Sequence, residues 1–148
     1  MPVPTKKDII KNFDICISQF VRACPSGIVV GCPQVAIVAA KALFELGLQP
    51  NIMAGKGVLR NGHQVDHIWV EIPEYDLRIE TNPSQIFGYP LVALTDEREK
   101  YAARYKKARI VESPENYPAL ALTESGQDFF DYAAEEVVHC FRRRTNFR

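Results

Sequence analysis

Across two segments between Ile9 and Leu46 the apolar residues recur at helical spacing, and from Ile52 to Thr81 they alternate as they do in strands. That change of period constrains the fold more than any other feature. A repeat near 3.6 lines one face of a helix, whereas a repeat of 2 lines one face of a sheet. Helices followed by consecutive strands imply an α+β domain, with N-terminal helices packed on an antiparallel β-sheet.

Thr5 is a good helix N-cap with Asp8 three positions later, and Ile9, Ile10, Phe13, Ile17, Phe20 and Val21 follow on one face. A small, apolar segment from Gly27 to Gly31 leads to Cys32-Pro33. Val35 to Leu46 then reads as an alanine-rich helix stopped by Gly47. Apolar on most sides, that helix belongs in the core. Strands are expected at Ile52 to Leu59, His67 to Ile72 and Asp76 to Thr81. Thr95 to Lys107 is charged and helical in propensity, Arg109 to Val111 reads as a short strand, and Thr123 to Arg144 reads as a C-terminal helix. Ser113 to Pro118 is rich in turn formers. No repeat or linker interrupts the chain, so its 148 residues are expected to form one domain, 1–148.

Charge excludes some classes of partner. Lysine plus arginine balances aspartate plus glutamate at 18 each, so no global field favours nucleic acid or an anionic membrane. The basic end, Arg142 to Arg148, reads as a solvated tail. No apolar run approaches the roughly 18 residues of a membrane span, and the first residues lack a secretory pattern, so a cytoplasmic location is expected. Cys16, Cys24, Cys32 and Cys140 match no zinc spacing, and reduced thiols are expected.

Two residues stand out chemically. Proline is favoured in the first turn of a helix, and Pro33 is expected to place Cys32 at the N-cap. The helix dipole and unpaired N–H groups there lower a thiol pKa and can hold an oxyanion. Cys16 and Cys140, on apolar helix faces, read as small core hydrophobes. In Asp66 to Ile72 the alternation turns Ile68, Val70 and Ile72 to the core and His67, Trp69 and Glu71 the other way. His67 could there deprotonate Cys32, and Trp69 is expected to pack in a second small core. His63 reads as loop surface and His139 as structural.

The partner of His67 depends on the turn at Pro73. A two-residue loop pairs His67 with Glu80, a three-residue loop with Thr81, and a four-residue loop with Asn82, the residue type that orients imidazole in papain-like proteases. Pro-Glu is not a favoured tight-turn pair, so register stays open.

From Gly31 to Pro90 the order of residues resembles the transglutaminase-like superfamily of cysteine enzymes, which share a papain-like core. The resemblance rests on three blocks: Gly31-Cys32-Pro33-Gln34-Val35-Ala36 opening a small-residue helix, His67-Ile68-Trp69-Val70-Glu71-Ile72, and Ile79-Glu80-Thr81-Asn82-Pro83. It implies a nucleophile at Cys32, a general base at His67 and an orienting carboxylate at Glu80, where an aspartate is usual. Such enzymes act on peptide or protein substrates as peptidases, glutamine deamidases, transglutaminases or other acyltransferases, and need no cofactor or metal. Gln19 is a candidate oxyanion donor by analogy with the glutamine upstream of the papain cysteine. The alternative is a catalytically silent protein-interaction domain with the same fold.

Overall fold

The computed structural model describes residues 3–23, 31–112 and 124–145. Cys24, the stretch from 25 to 30, the turn-rich segment 113–118, Thr123 and the last three residues lie outside them. Helix α1 spans Lys6–Arg22, α2 Cys32–Glu45, α3 Pro83–Phe87 and α4 Glu124–Thr145. The strands are β1 (Asn51–Val58), β2 (Gln64–Ile72), β3 (Leu77–Glu80), β4 (Leu94–Glu97) and β5 (Tyr105–Ile110), in the sheet order β4-β3-β2-β1-β5 with every pair antiparallel. The α+β class and the helix-on-sheet arrangement are as the periodicity predicts. Among the described residues no helix is long and apolar enough to cross a membrane.

Local chemistry explains the helix ends. Thr5 Oγ1 accepts from the Asp8 N–H at 3.1 Å while Asp8 receives the Thr5 N–H, a capping box of the expected kind. At α2 the start differs by one residue from the expectation. Gly31, not Cys32, is the N-cap, Cys32 is the first helical residue and Pro33 the second. Gln34 decides this, because its Oε1 reaches back to the Gly31 N–H at 2.9 Å and anchors the cap there. The helix ends in a Schellman motif: the Leu48 N–H reaches Leu43 O and the Gly47 N–H reaches Phe44 O, both at 3.0 Å. Gly47 accommodates the required positive φ of 92°.

The aliphatic residues of β2 and β3, Ile68, Val70, Ile72, Leu77 and Ile79, share a core with α1, α2 and α4. On the other face of the sheet His67, Trp69, Arg78 and Glu80 are also buried, so a second, polar and aromatic layer is built under Ile86 of α3 and Tyr105 of β5.

The stretch from Thr95 to Lys107 is not the expected helix. It forms β4, a 3₁₀ turn at Ala102–Arg104 and the start of β5. Tertiary contacts claim the groups a helix would use. Asp14 of α1 accepts from the N–H of Thr95 at 2.8 Å and from its hydroxyl, and buried Arg78 donates to the carbonyls of Arg98 and Lys100. Carbonyls spent on Arg78 are lost to a helical ladder, and packing overrides propensity.

Candidate active site

The turn between β2 and β3 has four residues, Pro73 to Asp76, since Ile72 pairs with Leu77 and Val70 with Ile79. Asp76 closes it in the left-handed region, at φ 55°. Continued along the strands, this register sets Trp69 opposite Glu80 and His67 opposite Asn82. Yet Asn82 does not orient the histidine: its Oδ1 caps α3 by accepting from the Gln85 N–H at 3.3 Å. Glu80 does so instead, diagonally across the pair. A diagonal neighbour lies roughly 7–8 Å away between backbones, and the glutamate side chain spans that gap. His67 Nε2 lies 2.7 Å and 2.9 Å from the two Glu80 oxygens. The extra methylene of a glutamate over an aspartate supplies that reach.

The carboxylate is itself held. Tyr105 Oη donates to Glu80 Oε1 at 2.9 Å and the Asn82 N–H donates to Oε2. Arg78 lies 3.8 Å over the Tyr105 ring, a cation–π contact in a desolvated setting. Burial beside the Glu80 carboxylate pushes the Tyr105 phenol well above its ordinary pKa, so it remains a donor. Trp69 stacks on the imidazole with centroids 5.8 Å apart and meets Tyr105 at 5.0 Å. It packs in the second core, as expected, and its indole N–H is satisfied by Glu71 at 3.0 Å.

Because a carboxylate only accepts, Nε2 of His67 carries a proton, and Nδ1 is the nitrogen left for chemistry. Nδ1 is buried and has no hydrogen bond to any of the described residues. The thiol of Cys32 is nevertheless close enough to act on the ring. Burial, the largest influence, lowers the imidazole pKa; contacts with Cys32 and Glu80 more than offset it and raise the value from 6.5 to about 9. The ring can therefore stabilise a negative charge at Cys32 and hold a proton to donate. Cys32 and His67 line one cleft of about 430 Å³, where the start of α2 meets β1, β2 and β5. The first backbone N–H groups of α2 bear on oxyanion binding. The N–H of Gly31 is taken by Gln34 Oε1 and that of Val35 by Gly31 O, and Pro33 has none, so among the described residues the donors offered are those of Cys32 and Gln34.

Gln19 is not among the residues lining this cleft. It sits in the groove between α1 and α4, where its Oε1 accepts from the Cys140 thiol at 3.3 Å. Its helical phase turns it toward α4. Cys16 is buried beside Cys140, and burial pushes its thiol well above the ordinary range, as suits a core residue. His63 and His139 are exposed. Among the described residues no group of three or more His, Cys, Asp or Glu side chains could hold a metal ion.

Tyr105, Arg78 and Gly57 were not legible as site residues. Gly57 had a signal, since a Gly-Lys-Gly run inside a strand marks close approach. A Cβ at Gly57 would lie 2.7 Å from Ile86 Cδ1 and 3.2 Å from His67 Cβ. No protein-family model matches this chain, and neither curated proteins nor solved structures yield a match.

Proposed function

We propose that this chain is a cysteine-dependent amidase or acyltransferase with a transglutaminase-like, papain-like core, acting on peptide or protein carboxamides through Cys32, His67 and Glu80. One observation carries the reading: an imidazole held at Nε2 by a buried carboxylate, with Nδ1 unengaged among the described residues, shares one cleft with a thiol at the start of a helix. A purely structural histidine has no need of a charged partner at 2.7 Å on one nitrogen and an unfilled, buried second nitrogen.

In the proposed reaction the Cys32 thiolate adds to the acyl carbon, and the oxyanion is held by the N–H groups of Cys32 and Gln34. The imidazolium gives its Nδ1 proton to the leaving amine as the C–N bond breaks, which leaves a thioester on Cys32. Water or an acceptor amine then attacks the thioester, giving a proton to Nδ1, and the thiolate departs. Glu80 keeps the ring in place and balances its charge throughout.

Iodoacetamide at pH 6 tests this directly. Cys32 should be alkylated much faster than Cys16, Cys24 or Cys140, and His67→Ala should slow it. Equal, slow labelling of all four thiols would eliminate the enzyme. Intact-mass assays with peptide, glutamine-containing protein and thioester substrates then separate hydrolysis from transfer.

A further inference from the structure

β5 meets β1 irregularly at the cleft. Ala54 pairs with Arg109 and Lys56 with Lys106, so Lys107 and Ala108 together stand opposite Gly55. This is a β-bulge, a device that re-aims side chains next to functional sites. Lys107 adopts φ 55°, a left-handed conformation in which glycine would be unstrained. Its partner has no such latitude: a Cβ on Gly55 would lie 2.6 Å from the Lys106 carbonyl oxygen and 3.0 Å from that of Lys107. The strain is therefore kept at Lys107, a lining residue of the Cys32 cleft with a charged side chain.

That side chain adds to an uneven charge. Lys56, Lys107 and Arg109 line the cleft, and Asp66 is the one carboxylate among its described lining residues. Asp66 is engaged by Lys56, which with Arg109 holds its carboxyl below the usual range. Lys107 has no carboxylate partner among the described residues. Since the whole chain is neutral, the positive rim is a local property of the bulge and not a share of a global field.

We infer that the Lys107 bulge makes the cleft select acidic peptide segments, placing a carboxylate side chain next to the amide that Cys32 attacks. The inference rests on the cysteine-enzyme reading, and its test separates the two.

The first arm compares alkylation of Cys32 in the full chain by iodoacetate and by iodoacetamide. In both, the S–C bond forms as the C–I bond breaks and iodide leaves, so charge is the main difference between the reagents. The iodoacetate-to-iodoacetamide rate ratio at Cys32 should exceed that of N-acetylcysteine amide roughly fivefold at low salt. It should fall toward the small-molecule value in about 0.5 M salt. Lys107→Asn removes the charge while tolerating the left-handed backbone, and should lower the ratio roughly threefold, a ratio in which any change of thiol reactivity common to both reagents cancels. A ratio insensitive to both salt and Lys107→Asn overturns the inference. The second arm does not need a reactive thiol. A Cys32→Ser chain should bind acetyl-Glu-Gln-Glu-amide roughly tenfold more tightly than acetyl-Lys-Gln-Lys-amide by calorimetry, and equal affinity overturns the inference whatever the alkylation rates. If iodoacetamide labels Cys32 no faster than the other thiols, the enzyme reading fails, and the peptide arm still decides the charge preference.

Discussion

Glu80→Gln isolates the charge that governs His67. The substitution keeps the shape of the side chain and one acceptor oxygen in place of the two that receive Tyr105 and the Asn82 N–H separately, and it removes the carboxylate 2.7 Å from Nε2. In the native protein the ring titrates at about 9 against an ordinary 6.5, a difference worth roughly 3 kcal/mol of folding free energy. The folded value is raised, so this contribution is fully present below pH 6.5 and is lost as the pH rises through about 9. With the charge gone, the burial that lowers the value is opposed by Cys32 alone, and the ring should titrate near or below 6.5. NMR titration of the His67 ring, together with denaturant unfolding from pH 5 to pH 10, measures both quantities. Native stability should decline between pH 6.5 and 9 by up to roughly 3 kcal/mol more than that of the variant. Alkylation of Cys32 by iodoacetamide should also slow. Parallel stability curves over that window, or a His67 that still titrates near 9 in the variant, would refute the assignment of Glu80.

Two further substitutions probe the layer behind Cys32, His67 and Glu80. Tyr105→Phe removes the hydroxyl 2.9 Å from Glu80 Oε1; it should cost about 1 kcal/mol in unfolding experiments and lower the His67→Ala-sensitive part of the Cys32 alkylation rate several-fold, and an unchanged rate would exclude Tyr105 from positioning the carboxylate. Gly57→Ala places a methyl 2.7 Å from Ile86 Cδ1 and 3.2 Å from His67 Cβ, so it should destabilise by roughly 1–3 kcal/mol and broaden or shift the His67 ring resonances; an alanine accepted without loss in a thermal melt would show that α3 is free to move away.

Much of this protein is written locally. Capping at Thr5, the glycine stop at Gly47 and the alternation through Ile68, Val70 and Ile72 are short-range effects, so they identify α1, the end of α2 and the core face of β2 without reference to the rest of the chain. The candidate nucleophile and base are legible for the same reason, since a helix start and a strand phase are local properties. What lies between distant residues is not. The Pro73 turn allowed three partners for His67, and the observed four-residue register would have nominated Asn82. Glu80 takes the role because its side chain reaches diagonally while Asn82 is spent on capping α3. Thr95 to Lys107 has helical propensity, but Asp14 and Arg78 bind its polar groups from elsewhere in the chain. Tyr105 and Lys107 acquire their places only when β5 joins β1 with one residue too many. Sequence determines where the backbone can satisfy itself locally; the tertiary structure decides which buried charges meet, because that depends on side chains brought together from separate elements.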